Sequence, residues 1–519
     1  MRLSALLNAL PGPPTPLAGR GAAPADPVIR GIRYDSRKVS PGDLFVALRG
    51  AHADGHRFLD RAIALGASAL LVEETPSGLD RDQAPILNVP VVQVTDSRRA
   101  LAPLAERFFG SPAKELTMIG VTGTNGKTST TYLVESILAR AGRRTGLVGT
   151  VEIRYAGERE VAVNTTPESL DLQRTLRAMV NAQVDAAVME VSSHGLELGR
   201  VTGCRFEVAG FTNLSQDHLD FHGTMDAYLA SKAKLFRDHL TAKATAVVNV
   251  DDAAGEKMIA VARDAGAKIL RVGRGLDASA DVRLVESAVD LSGTHARIRD
   301  GEGDLELHLP LVGDFNLENL LVAVGIARAL EIDDDSIARG VAECPQVPGR
   351  MERVLGSDAS APTVLVDYAH TPDAVEKLLR AVRPLCRGRL VAVFGCGGDR
   401  DRAKRPLMAA AVARHADLAV LTSDNPRTED PAAILADVES GLDDMEKVEP
   451  PELFEGRKRY VSIIDRREAI RIATIGAGPE DIVVLAGKGH EDYQILGRDK
   501  FPFDDRVEAL AALAEREGR

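Results

Sequence analysis

Short apolar runs recur along the chain, each about as long as a buried strand, and most are followed by a segment in which apolar positions have helical spacing. Before residue 112 the runs are DLFVAL, ALLVEE and VPVVQVTD, with the helical pattern HRFLDRAIALGA after the first. Between residues 116 and 251 they are LTMIGV, DAAVMEV, EVAGFTNL and ATAVVNVD. After residue 350 they are PTVLVDY, RLVAVFGC, LAVLTSD and DIVVLAGKG. The alternation predicts an α/β fold of mainly parallel sheets with right-handed crossovers and with ligand sites at the carboxyl ends of the strands.

Two breaks divide this pattern into three parts. The first, RFFGSPAKEL, lies near residue 112 and the second, CPQVPGR, ends at residue 350. A length of 519 residues also predicts about three domains. We expect a small N-terminal α/β domain over 1–112, a central domain with a mainly parallel sheet over 113–347, and a Rossmann-like C-terminal domain over 348–519.

Composition narrows the class of protein. Apolar residues are 45% and charged residues 27% of the chain, as in an ordinary globular protein. The net charge of −12, the 4% aromatic content and the absence of Trp argue against a nucleic-acid binder. No run approaches about 18 apolar residues and no secretory signal is evident, so we expect a cytoplasmic protein without membrane insertion. Four cysteines without C-x-x-C spacing make a zinc site or a disulfide framework improbable.

The strongest local motif is TGTNGKT over residues 122–128, between the run LTMIGV and a helical segment. Such a loop cradles phosphate with backbone N–H groups, while Lys127 reaches the β- and γ-phosphates and Thr128 ligates Mg²⁺. The full pattern has Gly where this chain has Val121, and the alternative interpretation is a left-handed glycine turn that caps a helix. The motif predicts ATP binding by Gly123, Thr124, Asn125, Gly126, Lys127, Thr128 and Ser129.

Two polar side chains follow apolar runs at the sheet edge that carries this loop. Glu190 ends DAAVME and His218 lies in NLSQDHLDFHG. Mg²⁺ prefers oxygen ligands, so Glu190 is the expected carboxylate. His218 in isolation reads as a helix-capping or core histidine. Lys232, in YLASKAKLF, alone reads as a solvated helix lysine.

In order, the motifs resemble the Mur ligase family, and within it the UDP-N-acetylmuramoyl-tripeptide synthetases. The matching stretches run from about residue 34 to 506 and are YDSRKVSPGDLFVAL, GVTGTNGKTST, NTTP, MEVSSHGLELGR, TNLSQDHLDFHG, YLASKAKLF, PGRMERV, DYAHTPDA, FGCGGDRDRAKRP, SDNPRTEDP and LAGKGHE. The resemblance implies an ATP-dependent amide ligase of peptidoglycan precursor synthesis. ATP would phosphorylate a carboxylate of UDP-N-acetylmuramoyl-L-Ala-D-Glu, and an amine would then attack the acyl phosphate. We expect a monomer.

The resemblance also implies roles for residues around the nucleotide. Lys127, His218 and a carbamylated Lys232 would be catalytic, and the carbamate would hold a second Mg²⁺ as a carboxylate does. The metal ligands would be Thr128, Glu190, His218 and carbamylated Lys232. Further contacts to ATP would come from Asn319, Arg350, Asp367 and His370.

The same resemblance places the UDP-sugar dipeptide on two segments. Its ligands would be Tyr34, Ser36, Ala51, His52, Ala53, Asn164, Thr165, Thr166, Ser192 and Arg200. Some members have Gln where this chain has Leu198, so the hydrogen bond of that Gln is absent or supplied elsewhere. Read alone, Thr165-Thr166-Pro167 is a helix N-cap with Pro in the first turn, and both roles can coexist.

The C-terminal motifs predict which amine is added. In the family, DNPR marks enzymes that add meso-2,6-diaminopimelate, and a guanidinium such as that of Arg427 pairs bidentately with the far carboxylate of this amino acid. The pocket would comprise Arg400, Asp424, Asn425, Pro426, Arg427, Gly487 and Glu491. Arg400, Arg402, Lys404 and Arg405 would form a basic cluster.

Three alternatives stay open from the sequence. DNPR read alone is an Asx-Pro turn with a surface arginine, and the pocket could accept L-lysine or L-ornithine instead of diaminopimelate. A folylpolyglutamate-synthetase-like ligase would share the phosphate loop but would give NTTP, DSR and DNPR no role. A nucleotide-switch protein without amide chemistry would not need an amino-acid pocket after residue 395.

Overall fold

The computed structural model describes residues 1–12, 15–17, 26–50, 53–74, 89–275, 279–356 and 360–518. Contacts group the described residues into two units. One comprises 1–283 with 321–337 and the other comprises 284–320 with 338–519. The domain boundaries expected at residues 112 and 347 stay a prediction. No helix in the described part of the chain is long and apolar enough to cross a membrane.

The N-terminal segment forms a five-stranded sheet in the order β1-β5-β4-β3-β2, parallel except for β1. Its elements are α1 (Leu3–Leu7), β1 (Thr15–Leu17), β2 (Gly31–Arg33), β3 (Asp43–Val46), α2 (Leu59–Ala64), β4 (Ala69–Val72), β5 (Val91–Gln93) and α3 (Ser97–Phe108), with 3₁₀ turns at Ser36–Lys38, Gly55–Phe58 and Pro112–Glu115. Strands β3 and β4 are buried throughout. The predicted runs DLFVAL and ALLVEE are therefore core strands of this sheet.

The central segment builds an eleven-stranded sheet in the order β16-β15-β14-β13-β12-β11-β6-β10-β7-β8-β9. Its elements are β6 (Thr117–Thr122), α4 (Lys127–Arg140), β7 (Thr145–Val148), β8 (Glu152–Tyr155), β9 (Glu158–Val161), α5 (Ser169–Asn181), β10 (Ala186–Glu190), α6 (Ser193–Glu197), β11 (Phe206–Phe211), α7 (Leu219–His222), α8 (Met225–Asp238), β12 (Leu240–Asn249), α9 (Gly255–Asp264), β13 (Lys268–Gly273), β14 (Val282–Asp290), β15 (Gly293–Asp300), β16 (Gly303–Leu309), α10 (Asn316–Ala329) and α11 (Asp334–Ala342).

Strand β6 lies between β10 and β11 and is parallel to both. All three strands are almost completely buried, which explains why their sequences are continuous apolar runs rather than alternating ones. Their carboxyl ends therefore meet at one edge of the sheet. The loop after β6, the end of β10 and the segment after β11 share this edge.

The C-terminal segment forms a seven-stranded sheet in the order β17-β18-β23-β19-β20-β22-β21, parallel except for β17. Its elements are β17 (Glu352–Val354), β18 (Thr363–Asp367), α12 (Pro372–Val382), β19 (Leu390–Phe394), α13 (Lys404–His415), β20 (Leu418–Thr422), α14 (Pro431–Glu439), β21 (Glu446–Lys447), β22 (Arg459–Ile463), α15 (Arg466–Gly476), β23 (Ile482–Ala486), β24 (Tyr493–Leu496), β25 (Asp499–Pro502) and α16 (Asp505–Glu517), with 3₁₀ turns at Arg383–Leu385 and Pro450–Glu455.

The inner strands of the C-terminal sheet have a hydrophobic cluster on each face. Helices α12, α13 and α14 contribute to one cluster, and helices α15 and α16 contribute to the other. This is a doubly wound parallel sheet, and it confirms the predicted α/β class. The motifs SDNPR and AGKGHE follow β20 and β23 at the carboxyl edge of this sheet.

Candidate functional site

The loop after β6 turns on two glycines. Gly126 has φ +85° and directly precedes α4, so the left-handed helix cap and the phosphate loop are the same feature. Gly123 has φ +156°, and a Cβ there would lie 1.9 Å from the Thr212 hydroxyl. Val121 lies inside the buried strand β6, where no turn is needed, so its difference from the full motif leaves the loop intact.

The segment after β11 braces this loop. The carbonyl of Asn213 accepts from Thr124 N at 2.9 Å, and its side-chain oxygen accepts from Asn125 N at 2.9 Å. The Tyr228 hydroxyl donates to Thr124 Oγ1 at 3.2 Å. Thr128 and Ser129 are buried in the first turn of α4. The structure therefore brings together all seven residues predicted for the loop.

Two lysine side chains converge on one carbonyl oxygen of the loop. Lys127 Nζ and Lys232 Nζ each donate to Gly123 O at 2.8 Å, and Lys127 also donates to Thr124 O at 2.9 Å. Lys232 is 1% exposed, so its interpretation as a solvated helix lysine is wrong. Burial, and then the charge of Lys127, hold the pKa of the Lys232 amine well below its usual range.

Glu190 is the carboxylate at the end of β10. It is buried and accepts from the Thr128 hydroxyl at 3.2 Å, from Thr150 N at 2.7 Å and from the Thr150 hydroxyl at 2.9 Å. The hydroxyl and carboxylate oxygens of Thr128 and Glu190 are the donor type that Mg²⁺ takes next to a nucleotide, so these residues fit the predicted metal. No cluster of three or more His, Cys, Asp and Glu suited to a metal occurs within the described ranges.

His218 lies before α7 in the left-handed region, with φ +53°, but its side chain does not cap the helix. Its ring packs edge-on against that of His194, with centroids 4.8 Å apart. Its Nε2 is 3.4 Å from a carboxylate oxygen of Asp217. Burial lowers the pKa of His218, with Asp217 opposing and Lys127 and Lys232 adding to the effect. The charges of Lys127 and Lys232 therefore both act on the His218 ring.

The NTTP segment packs against the end of β10. The Thr166 hydroxyl donates to Glu190 O at 2.9 Å and accepts from Ser192 N at 3.0 Å, while Thr165 Oγ1 lies 3.0 Å from Thr150 Oγ1. Helix α5 is instead capped by Glu168, so the N-cap interpretation of the two threonines is wrong. Asn164 is exposed beside them.

Arg200 lies next to this segment and is half-buried. Its Nη1 donates to Thr166 O at 2.9 Å, and its Nε lies 3.7 Å from Glu168 Oε2. Arg98 of α3 pairs with the same carboxylate. Burial lowers the pKa of Arg200, and Glu168 opposes the shift. Leu198 caps the preceding helix α6 with its backbone N–H.

The N-terminal candidates are placed in part. The Tyr34 hydroxyl donates to Asp171 of α5, and burial raises the pKa of Tyr34. Ser36 is buried and begins a 3₁₀ turn, while Ala53 is exposed. Ala51 and His52 lie outside the described residues.

The other nucleotide candidates belong to the second unit. Asp367 ends β18 and accepts from Met351 N and Ala369 N, both at 2.8 Å. Burial raises the pKa of Asp367, and Arg350 opposes the shift. The Arg350 guanidinium lies 4.8 Å above the centre of the Tyr368 ring.

His370 and Asn319 are also placed within this unit. His370 Nδ1 is 2.7 Å from Tyr368 O. Asn319 is buried in α10 and donates through Nδ2 to Asn316 Oδ1 at 3.0 Å.

Arg427 has φ +53°, and its backbone is hydrogen-bonded to the hairpin formed by β24 and β25. Its N–H donates to Ile495 O at 3.1 Å, and its own carbonyl accepts from Gly497 N at 2.8 Å. Its Nη1 donates to Gly398 O at 2.8 Å, so the side chain is drawn toward the loop after β19 rather than extended into solvent. The carbonyl of Pro426 packs so close to Gly398 that a Cβ there would lie 1.9 Å away.

Asp424 and Asn425 are both buried behind this arginine. Asp424 Oδ1 accepts no hydrogen bond from the described residues, but it lies 3.5 Å from the Lys488 ammonium. Both polar atoms of the Asn425 side chain are hydrogen-bonded, because Nδ2 donates to Glu491 Oε2 at 2.9 Å and Oδ1 accepts from Ile495 N at 2.9 Å. Gly487 has φ +118°. A buried carboxylate and an arginine thus stand three residues apart in the DNPR turn.

Two of the four residues of the expected basic cluster, Arg402 and Arg405, are paired with carboxylates. Arg405 is 1% exposed and pairs with both Glu429 and Asp437, and Arg402 also pairs with Asp437. A buried guanidinium requires such partners, which the acidic residues of α14 and its preceding loop supply. Arg400 is exposed and donates to Asp399 O at 3.1 Å.

Three residues of the site carried no recognised signal in the sequence. Lys488 is completely buried between Asp424 and Glu491, although it stands inside the motif LAGKGHE. Glu168 and Thr150 hold Arg200 and Glu190, respectively. The sequence did offer one clue to Lys488. It stands in the turn directly after the buried strand β23, and acidic residues follow both β20 and β23.

Three family profiles match the chain in order. They are described as the Mur ligase family, catalytic domain, over residues 28–109; the Mur ligase middle domain over 121–327; and the Mur ligase, glutamate ligase domain, over 349–489. With the full-length relatives given next, they show that the chain belongs to the Mur ligase family of ADP-forming, ATP-dependent ligases. The resemblance found in the motifs is confirmed.

Full-length relatives of the chain share one name. The chain is 47% identical over 516 residues to a protein of Synechococcus elongatus, covering 99% of both chains, and 44% identical over 522 residues to one of Geobacillus thermodenitrificans, covering 99% of this chain and 100% of the other. Both are named UDP-N-acetylmuramoyl-L-alanyl-D-glutamate--2,6-diaminopimelate ligase. A solved structure of a ligase of that name is 36% identical, has a TM-score of 0.65, and is matched over 94% of this chain and 95% of its own.

Proposed function

We propose that the chain joins meso-2,6-diaminopimelate to UDP-N-acetylmuramoyl-L-alanyl-D-glutamate, with ATP converted to ADP and phosphate, in cytoplasmic peptidoglycan precursor synthesis. The observation that supports the choice of amine is that the DNPR turn carries both Arg427, whose guanidinium donates to Gly398 O, and Asp424, whose buried Oδ1 accepts no hydrogen bond from the described residues. The far end of diaminopimelate carries one carboxylate and one ammonium, and this pair offers one partner to each. The shared name of the full-length relatives supports the same substrate.

The reaction needs an activated carboxylate. A carboxylate oxygen of the dipeptide attacks the γ-phosphorus of ATP, the bond to the β-phosphate oxygen breaks, and ADP leaves. The amine nitrogen then attacks the acyl carbon, loses a proton, and expels phosphate as the carbon–oxygen bond breaks. The protein contributes mainly by positioning and by electrostatic stabilisation of the developing charge.

Lys127 and the loop amides bind the phosphates in this proposal. In the structure the Lys127 ammonium donates to two carbonyls of its own loop, so it is held a few ångströms from the helix N-terminus where phosphate groups bind. When bound, Mg²⁺ supplies charge neutralisation on the phosphates, and Thr128, Glu190 and His218 would hold it together with a modified Lys232. Asn319, Arg350, Asp367 and His370 complete the nucleotide contacts in the proposal.

Lys232 is proposed to be carbamylated. Two ammonium groups bonded to one carbonyl oxygen repel each other strongly, and burial denies Lys232 the water that would screen this repulsion. The nitrogen lone pair of the neutral amine attacks CO₂, a nitrogen–carbon bond forms, and one proton is released. The resulting anion would lie beside Lys127 as an attractive partner and would add oxygen ligands to those of Thr128 and Glu190.

The UDP-sugar dipeptide is assigned to the first unit. Thr165, Thr166 and Ser192 present hydroxyl groups next to Glu190, and Arg200 supplies a half-buried cation for a peptide carboxylate. The remaining candidates for this substrate are Tyr34, Ser36, Ala51, His52, Ala53 and Asn164.

The test is a reconstituted reaction. Purified protein is incubated with ATP, Mg²⁺, UDP-N-acetylmuramoyl-L-Ala-D-Glu and one amine at a time, and phosphate release and product mass are recorded. We expect phosphate release that depends on both the dipeptide and diaminopimelate, with a mass corresponding to the amide. Phosphate release without amine dependence would refute the ligase, and equal kcat/KM for L-lysine or L-ornithine would refute the choice of amine.

A further inference from the structure

A completely buried lysine connects the two acidic residues of the candidate amine pocket. Lys488 Nζ lies 3.2 Å from Glu491 Oε2, 3.3 Å from Asn425 Oδ1 and 3.5 Å from Asp424 Oδ1. The whole residue has no exposed surface. Its ammonium therefore cannot contact a ligand from solvent, and it acts only through the three side chains around it. We call Lys488, Asp424, Asn425 and Glu491 the acidic quartet.

The geometry of the quartet depends on this ammonium. Glu491 Oε2 accepts from both Lys488 and Asn425, and Asn425 Oδ1 accepts from Lys488 while its Nδ2 faces Glu491. These bonds fix the orientation of the Asn425 amide, because the reverse orientation would place its NH₂ against the ammonium. Without Lys488, two carboxylates would share a buried space without a counter-ion, which is strongly unfavourable.

The lysine also sets the charge that the pocket presents. With Lys488 the quartet has a formal charge of −1, and without it the charge would be −2. The neighbouring Arg466 does not alter this count, because its side chain and that of Asp505 form a completely buried ion pair. Arg427 lies outside the quartet and is directed to Gly398 O.

We propose that Lys488 is a positioning residue that determines specificity for an amine with a zwitterionic far end. The inference rests on the proposed function and extends it to a residue with no contact to the substrate. The far end of diaminopimelate has no net charge, whereas that of L-lysine carries +1. Each negative charge added to the pocket therefore favours L-lysine over diaminopimelate, and Lys488 prevents one such addition.

The experiment compares Lys488→Met with the double variant Lys488→Met/Glu491→Gln, which returns the quartet to −1. The measured quantity is the ratio of kcat/KM for diaminopimelate to kcat/KM for L-lysine. We expect the ratio to fall by about tenfold or more in the single variant. We expect it to return to within about threefold of the wild-type value in the double variant. Lys447→Met makes the same change at an exposed ion pair with Glu439 and should leave the ratio unchanged.

A purely structural role for Lys488 would lower kcat/KM for both amines by the same factor, and this result would overturn the inference. A ratio that stays low in the double variant would also overturn it, and that variant decides the matter if Lys488→Met alone does not fold. The proposed function is judged separately on the wild-type protein. If the wild type forms no amide with diaminopimelate, the function fails, whereas an active wild type with an unchanged ratio in the variants defeats only the role of Lys488.

Discussion

The phosphate loop and the amine pocket each contact a buried lysine, Lys232 and Lys488, but the two lysines differ in the groups that accept their hydrogen bonds. At the loop, Lys127 and Lys232 both donate to the carbonyl of Gly123. In the pocket, Lys488 lies within 3.5 Å of two carboxylates. The two lysines at the loop share a neutral acceptor, whereas Lys488 has carboxylate counter-ions within its own pocket.

Because of this difference, the two regions depend in different ways on groups that bind from solution. In the proposed function the loop gains two anionic groups, the carbamate formed from CO₂ on Lys232 and the phosphates of ATP. The acidic quartet already contains the counter-ions of Lys488 in the folded chain, and in our proposal it selects among amines by the charge of their far ends. The comparison therefore predicts that the loop responds to added anions, whereas the pocket responds to changes in its own side chains.

The largest expected effect is at Lys232. Lys232→Ala should lower kcat by about 10²–10³-fold, because it removes an anionic group that stabilises charge in the transition state. Added acetate or formate should restore part of the activity by occupying the place of the carbamate. Steady-state kinetics with and without these anions measures both effects.

The control is Lys234→Ala, which removes a more exposed lysine of the same helix that pairs with Glu197. It should keep nearly full activity. Full activity of Lys232→Ala, or a loss that short carboxylates never restore at any concentration, would contradict the idea that the loop requires an added anion.

The next largest effect is at Arg427. Arg427→Lys keeps the charge but loses the planar fork that can pair with a carboxylate, so kcat/KM for diaminopimelate should fall by about 10–100-fold. The value for L-lysine should change much less, since that amine has no far carboxylate. Arg402→Lys is the matched control at an exposed pair with Asp437. An unchanged KM for diaminopimelate in Arg427→Lys would count against the clamp.

The sequence was sufficient for the fold and for the loop because both depend on local patterns. Strands such as β6 and β10 are continuous apolar runs, and Gly126-Lys127-Thr128 stands directly at the start of a helix. The same information failed for Lys232. Helix α8 buries Ser231, Lys232 and Ala233 together, and the sequence did not reveal which polar residue of this helix turns inward.

The amine pocket was less accessible to sequence reasoning because its contacts are long-range. Asn425 meets Glu491 from 66 residues away, and Glu168 meets Arg98 from 70 residues away. The basic residues of FGCGGDRDRAKRP were expected to form a local cluster, and the structure pairs Arg405 with Glu429 and Asp437, which follow DNPR along the chain. Packing between loops that are distant in the sequence determines which acidic residue neutralises which arginine. The residue types alone do not specify these pairs.

A smaller effect is expected at Thr150, which holds Glu190 through both its N–H and its hydroxyl. Thr150→Val keeps the shape and the N–H bond but removes the hydroxyl bond, so the Mg²⁺ concentration for half-maximal activity should rise by about tenfold. Thr474→Val is the matched control, since the Thr474 hydroxyl is buried without a hydrogen-bond partner among the described residues. An unchanged Mg²⁺ dependence in Thr150→Val would show that Glu190 does not need this support.

The smallest expected effect concerns pH and lies in the second region. Burial, with Arg350 and Arg506 contributing, lowers the pKa of His490 to about 4. The unfolded chain, with a histidine pKa of about 6.5, therefore binds more protons than the folded chain between about pH 6.5 and 4. The stability contributed by neutral His490 is fully present above about pH 6.5 and is lost as the pH falls through this window.

His490→Asn should therefore flatten the fall in Tm between about pH 7 and pH 5 by roughly 2–5 °C relative to the wild type. Thermal unfolding followed by circular dichroism at both pH values measures it, with His308→Asn as the control at an exposed strand residue. An identical pH dependence for the wild type and His490→Asn would show that protonation of this ring does not oppose folding. The difference between the phosphate loop and the amine pocket would then depend on Lys232 and Lys488 alone, and not on the protonation of His490.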